Sequence, residues 1–107
     1  MEKYTLIFFD GAKDDYKNLD GSQRIQVDKA IQKIKENGMQ IGEELTGNLA
    51  GCRKIKQKRL GLRIVFRQSA DSIEIIEIVA IGKRDKKKVY TDSFSRIADN
   101  LISIKKK

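Results

Sequence analysis

Apolar residues recur along the chain with two spacings, one typical of helices and one typical of strands. Residues 4–9 (YTLIFF) are β-branched and aromatic, which predicts an opening strand. Ala12, Tyr16 and Leu19 then fall on one face of a helix, because their spacing matches the helical repeat. The chain is therefore expected to begin with a strand and a short helix.

A second, longer helix is predicted next, with an apolar stripe that faces a core. Ser22 is its expected N-cap, and Asn37 with Gly38 is its expected end, since glycine commonly follows a helix. Residues 12–37 are thus predicted to form a helical hairpin that covers one face of a sheet. The stripe of the second helix consists of Val27, Ala30, Ile31 and Ile34.

Three further strands and a last helix are predicted in the second half of the chain. A glycine-rich connector leads into strands at residues 53–58 and 62–67, which a tight turn joins. Residues 73–81 (IEIIEIVAI) are almost continuously apolar, which predicts a central strand. Asp85 is the expected N-cap of the final helix. The predicted fold is α+β: a small twisted antiparallel sheet in the order βααβββα, with an N-terminal helical hairpin and a C-terminal helix, in a single domain of residues 1–107.

The positive charge of the chain is concentrated in its second half. The formal net charge is +8. Residues 1–51 hold seven Lys/Arg and nine Asp/Glu, whereas residues 52–107 hold sixteen Lys/Arg and six Asp/Glu. Such an asymmetric distribution is typical of a protein that binds a polyanion, and a solvated basic surface that only aids solubility is the alternative.

The composition excludes several classes of site. The single cysteine, Cys52, cannot form an internal disulfide and is expected to be a small buried residue. Without histidine, the chain lacks the usual zinc ligand sets and the Ser-His-Asp arrangement, and we expect no metal and no cofactor. No apolar run approaches the ~20 residues of a membrane span, and no signal peptide is evident, so the cytoplasm is the expected compartment.

The densest group of cations begins in the strand predicted at residues 53–58. Lys54, Lys56 and Lys58 alternate with uncharged residues, and side chains two residues apart on a strand point to the same face. In an antiparallel meander, Arg63 of the next strand lies close to them. Burying this many charges would cost several kcal/mol per ion. The face is therefore expected to meet water or an anion, and RNA phosphate is the anion we predict.

Two residues beyond the central strand are expected to complete the same site. Arg84 follows that strand immediately, and Tyr90 lies six residues later. A helix that starts at Asp85 would carry Tyr90 back over the cationic surface. The predicted site thus combines lysines, two arginines and one tyrosine.

This combination of side chains fits the cleavage of an RNA strand. Lysine and arginine can stabilise the charge that develops on the phosphate, and arginine adds a planar fork for two phosphate oxygens. The base that deprotonates the 2′-hydroxyl could be Tyr90, Lys54 or Lys56, because neighbouring cations favour both phenolate and neutral amine. Tyr90 could instead stack on an RNA base. These assignments are left open by the residues alone.

Less specific interpretations exist for each of these residues. Alternating lysines are also common on a solvated edge strand. Tyr90 alone could be a half-buried helix residue, and Arg63 could pair with Glu74 or Glu77 across the sheet. Composition by itself therefore does not decide between RNA cleavage and RNA binding.

The spacing of these residues resembles that of the RelE/ParE superfamily of bacterial type II toxins, and in particular its RelE branch. The opening strand, the helical hairpin and a connector with Leu45 and Gly47 agree with this resemblance. The segments that carry it are Lys54-Ile55-Lys56, Gly61-Leu62-Arg63-Ile64-Val65-Phe66, Ile81-Gly82-Lys83-Arg84 and Val89-Tyr90.

The resemblance implies a ribosome-dependent endoribonuclease that cuts mRNA in the ribosomal A site by attack of the 2′-hydroxyl on the scissile phosphate. Lys54 and Lys56 would act as base or phosphate stabilisers, Arg63 would stabilise the transition state, Arg84 would act on the phosphate or as the acid, and Tyr90 would orient the mRNA. Further RNA contacts are expected from Arg53, Lys58, Arg59 and Lys83.

The resemblance also implies partners and alternatives. A cognate antitoxin protein would neutralise the toxin, while the ribosome and mRNA would be its targets. One alternative is a ParE-like toxin that poisons DNA gyrase and cuts no RNA, although that branch generally lacks the Lys/Arg/Tyr set. The other is a non-enzymatic basic RNA-binding module.

Overall fold

The computed structural model describes the backbone of residues 3–83 and 88–105, with side chains described up to residue 99. It contains five strands, three α-helices and two short 3-10 helices between the second α-helix and the third strand. The elements are β1 (Thr5–Phe8), α1 (Asp10–Lys17), α2 (Gly21–Asn37), β2 (Glu43–Glu44), β3 (Cys52–Gln57), β4 (Leu62–Gln68), β5 (Ile75–Lys83) and α3 (Lys88–Lys105).

The strands form one sheet in the order β1-β5-β4-β3-β2. The pairs β3·β4 and β4·β5 are antiparallel, which confirms the predicted meander, and β2·β3 is antiparallel as well. However, β1 runs parallel to β5, so the prediction of a wholly antiparallel sheet is wrong at this strand. Two helices and three strands separate β1 from β5 along the chain, and hydropathy patterns do not specify the direction of such a distant pair. The α+β class is confirmed.

The strand β2 was not predicted and lies inside the glycine-rich connector. It has two residues and pairs with β3 through Glu43 opposite Lys54 and Glu44 opposite Arg53. Gly42 precedes it with a φ of +84°, and a Cβ there would lie 2.6 Å from the backbone oxygen of Lys54. Glycine is therefore required at position 42 for the connector to approach β3 closely.

The N-cap of α2 lies two residues before the predicted one. Asp20, not Ser22, is the N-cap: its carboxylate accepts a hydrogen bond from the Gln23 N–H at 2.8 Å. The Gln23 side chain in turn accepts from the Asp20 N–H at 2.9 Å, which completes a capping box. The helix ends at Asn37 and is followed by Gly38 with a φ of +58°, which confirms the predicted end.

The sheet separates two apolar clusters. The face of β4 that carries Leu62, Ile64 and Phe66 packs against α1 and α2, whereas Val65 faces α3. This division confirms the alternation predicted for β4. The larger cluster includes Ala12, Val27, Ala30, Ile34, Leu62, Ile64, Phe66, Ile76, Ile78 and Ile81, and the smaller one Leu49, Cys52, Val65, Val79, Ala80 and Val89.

The side chains of an ion pair between α1 and α3 form hydrogen bonds to the β5 backbone beyond the end of β1. Because β1 stops at Phe8 while β5 continues, the backbone of Val79 and Ile81 needs other partners. Arg96 donates to the Val79 carbonyl at 2.9 Å, and Asp15 accepts from the Ile81 N–H at 3.0 Å. The two side chains also bond each other in a bidentate pair, at 2.8 and 3.3 Å. This arrangement, the Asp15–Arg96 clamp, joins α1, β5 and α3.

The last helix carries Tyr90 in its first turn. The predicted cap, Asp85, lies outside the described residues. None of the helices in the described part of the chain has the length and apolar content of a membrane span.

Candidate RNA-binding and catalytic site

Lys54, Lys56 and Arg63 lie on the face of the sheet that packs against α3. Their face follows from the alternation along β3, because Cys52 of the same strand packs in the smaller cluster with Val65. In the β3·β4 register Lys56 is opposite Arg63, and Lys54 is opposite Val65. Residues directly opposite in an antiparallel pair have Cβ atoms about 5 Å apart. The sheet therefore brings the Lys56 and Arg63 side chains close together.

Arg63 is largely buried and incompletely hydrogen-bonded. Arg63 has 5% of its surface exposed, and its Nη1 donates to the Leu62 carbonyl at 3.0 Å. Its Nε has no hydrogen-bond partner among the described residues. A buried donor without an acceptor is unfavourable by about 1–3 kcal/mol, so the Arg63 guanidinium is held on this face at an energetic cost.

Tyr90 lies beside Lys54 at the edge of the smaller cluster. The Lys54 Nζ is 5.5 Å from the centre of the Tyr90 ring, within the range of a cation–π contact. The helix can approach this closely because Gly82 lies under Val89: a Cβ on Gly82 would be 3.2 Å from the Val89 Cβ. Lys54, Lys56, Arg63 and Tyr90 therefore share one surface, which we call the cationic face.

An acidic residue that the sequence analysis did not single out also belongs to this surface. The Glu43 carboxylate forms an ion pair with Lys56, with 3.1 Å between Oε1 and Nζ. The hydrogen bond from Lys56, followed by the positive charges of Lys54 and Arg63, holds the pKa of Glu43 below its ordinary value. Only the pairing of β2 with β3 brings Glu43 here, and a two-residue strand leaves no hydropathy signal.

Two of the expected RNA-binding residues lie on the opposite face of the sheet. Arg53 donates to the carbonyls of Ile41 and Gly42, at 2.8 and 2.7 Å, and forms an ion pair with Glu44 at 3.2 Å. Lys83 is opposite Leu62, whose side chain is in the larger cluster. The structure therefore does not bring Arg53 or Lys83 together with the cationic face.

The other expected residues lie in the turn that follows β3 or outside the described residues. Lys58 and Arg59 are exposed in the turn between β3 and β4. Arg84 lies outside the described residues, so its predicted position stays a prediction. The alternative pairing of Arg63 with Glu77 is wrong, because Glu77 pairs with Arg67 at 2.7 Å. Arg63 forms no ion pair with Glu74 either, within the described residues.

Cys52 has the buried position that the sequence predicted. It is 4% exposed, and burial raises the pKa of its thiol. A thiol in such surroundings is a poor nucleophile at neutral pH. Cys52 is therefore a packing residue of the smaller cluster.

The chemistry open to the cationic face follows from its charges. Two ammonium groups and one guanidinium converge beside an aromatic ring, and one carboxylate partly offsets them. Fixed cations stabilise the additional negative charge on a phosphate under attack. The aromatic ring offers a surface on which a nucleotide base can stack.

Comparisons with known proteins agree on one family, although no family model matches the chain. The mRNA interferase toxin RelE of Escherichia coli (strain K12) is 29% identical over 94 residues, which cover 88% of this chain and 97% of that protein. A second E. coli protein, named for its likeness to RelE toxins, is 32% identical over 95 residues, or 89% of this chain and 98% of that protein.

A solved structure shows the same fold. The free state of a mutant E. coli toxin RelE superposes with a TM-score of 0.72 and 26% sequence identity, over 91% of this chain and 99% of the other. An isolated form of that toxin gives a TM-score of 0.68 over 88% of this chain and 98% of the other. Because both sequence and fold agree over nearly the whole length, the chain belongs to the family of RelE-like toxins.

Proposed function

We propose that this protein is a type II toxin that acts as an endoribonuclease on mRNA and cuts it on the ribosome. The observation that carries the proposal is the cationic face: Lys56 opposite Arg63, with Lys54 beside the Tyr90 ring. Relatives named as mRNA interferases support the same activity. Ribosome, mRNA and a cognate antitoxin protein are the proposed partners, and the cytoplasm is the proposed compartment.

In this proposal the scissile phosphate binds between Lys56 and Arg63. Lys56 and Arg63 lie opposite each other, and both cations stabilise the charge that develops on phosphorus. The 2′-hydroxyl then attacks the phosphorus, and the bond to the departing 5′-oxygen breaks. Arg84 is proposed to act on the phosphate or as the acid for that oxygen.

The Lys54–Tyr90 contact suggests how the nucleotide is held. The Tyr90 ring presents one side to Lys54, and a nucleotide base could stack against its remaining exposed surface. Because Lys54 lies beside that ring, it is one of the groups proposed to act at the 2′-hydroxyl. The choice of base among Tyr90, Lys54 and Lys56 stays open in this proposal.

The proposal is tested by mapping mRNA ends in a translating extract. Wild-type protein should produce cuts in phase with codons, and the same mRNA without ribosomes should stay intact. Arg63→Lys keeps the charge but loses the planar fork, so we expect cleavage to fall by about 100-fold or more. Circular dichroism would show that this variant still folds.

Lys17→Ala is the matched control for Lys54→Ala, because each substitution removes one positive charge. Lys17 is exposed at the end of α1 and lies apart from the cationic face, so Lys17→Ala should cut mRNA like wild type. Lys54→Ala should cut mRNA less than wild type. Intact mRNA together with gyrase-linked DNA damage would instead indicate the ParE-like activity. Salt-dependent RNA binding without any cuts would indicate a binding module.

A further inference from the structure

A carboxylate lies among the cations that are proposed to bind RNA. Glu43 is directly opposite Lys54 in the β2·β3 register, and its side chain is bonded to Lys56 at 3.1 Å. Arg63 is opposite Lys56 on the other side of β3. Glu43 therefore contacts Lys56, faces Lys54 across the strand pair and lies within electrostatic range of Arg63.

The Glu43 carboxylate resembles a phosphate in what it offers to Lys56. Both present negatively charged oxygens to an ammonium group at hydrogen-bond distance. The Lys56 and Glu43 side chains are 32% and 58% exposed, so solvent and an incoming ligand can reach the pair. A phosphate that binds Lys56 must either displace this carboxylate or lie next to it against charge repulsion.

We propose that Glu43 is an internal counter-ion of the cationic face, which competes with RNA phosphate for Lys56 and so weakens the binding of free RNA. This inference rests on the proposed function, because it assumes that the ligand is RNA. Its consequence is selectivity: RNA that makes few other contacts is bound weakly, while RNA presented by a larger assembly can displace Glu43. Lys56 changes its partner from carboxylate to phosphate when the ligand binds.

The chain offers a close control for this idea. Glu44 is the next residue in β2, is also exposed, and carries the same charge, but it pairs with Arg53 on the opposite face of the sheet. Glu43→Gln and Glu44→Gln therefore change net charge equally. A difference between them reports the position of the carboxylate and not the total charge.

The experiment measures binding of a short single-stranded RNA that is 2′-O-methylated throughout, so that it cannot be cut. Fluorescence anisotropy at low salt should show that Glu43→Gln binds about threefold more tightly than Glu44→Gln, the size expected from one released surface ion pair. Glu43→Asp keeps the carboxylate and should bind the RNA almost as weakly as wild type. The Glu43→Gln gain should disappear in a Lys56→Gln background, because the competition acts through Lys56.

Equal RNA affinities of the two glutamine variants would overturn the inference. Weaker RNA binding by Glu43→Gln would overturn it as well, because Glu43 would then hold Lys56 in a binding position. A wild type that cuts mRNA while both variants bind alike would leave the proposed function intact. If Glu43→Gln binds RNA more tightly than Glu44→Gln but the wild-type protein never cuts mRNA, the proposed nuclease activity is contradicted and the counter-ion inference stands.

Discussion

At the scale of single residues, the buried thiol of Cys52 has a chemical consequence that can be measured. Burial raises the pKa of this thiol, so the folded protein holds less thiolate at neutral pH than the unfolded chain. Iodoacetamide should therefore label native protein much more slowly than denatured protein, as followed by mass spectrometry. Equal labelling rates would contradict the buried position.

The same shift predicts how stability depends on alkaline pH. Below the ordinary pKa of a thiol, folded and unfolded states both keep the proton, and the thiol contributes no pH dependence. Above it, the unfolded chain loses the proton while the folded protein retains it, so stability falls as pH rises. In Cys52→Ala this part of the alkaline loss should be absent from denaturation curves.

Residue alternation explains which site residues the sequence could predict. Period-2 alternation places Lys54 and Lys56 on one face, and it equally places Arg53 on the other, because adjacent residues of a strand point to opposite sides. Grouping Arg53 with the lysines by charge density ignored that rule. Glu43 was beyond prediction, since its position depends on a two-residue strand that pairs across the connector.

At the scale of elements, the Asp15–Arg96 clamp is expected to fix α3 against the sheet. Asp15→Asn weakens the bidentate pair and the charge-assisted bond to the Ile81 N–H together. Since both side chains of the pair are about four-fifths buried, we expect the free energy of unfolding to drop by about 2 kcal/mol. Urea denaturation measures this loss.

Asp92 provides the comparison for the clamp. It also approaches Arg96, but at 3.8 Å and with a side chain that is more exposed. Asp92→Asn should therefore cost about 0.5 kcal/mol or less. Equal losses from the two substitutions would show that the bonds to β5 add nothing to the ion pair.

Most elements were predictable because each carries its own periodic signal. The apolar stripe of α2 and the alternation of β4 are local properties, and both were confirmed. The parallel pairing of β1 and the side-chain bonds that extend it at Val79 and Ile81 depend on residues far apart in the chain. Local patterns contain no information about such contacts, so they emerged only with the structure.

At the scale of the whole molecule, the net charge of +8 can attract any polyanion, whereas the cationic face concentrates the effect in one place. Long-range attraction is screened beyond about 8–10 Å at moderate salt, so distant lysines contribute little to a bound state. Binding that depends on the face must therefore depend on particular lysines and not on total charge.

This distinction gives a prediction on the salt dependence of RNA binding. Each phosphate contact to single-stranded RNA adds about 0.7 to the slope of log affinity against log salt, because counterions are released. Lys54→Ala and Lys56→Ala should each reduce the slope by about that amount, measured by anisotropy over a salt series with uncleavable RNA. Lys17→Ala removes the same charge from the exposed end of α1 and should leave the slope unchanged. If all three variants lost the same slope, the protein would be attracting RNA through its overall charge, and the cationic face would not be where RNA binds.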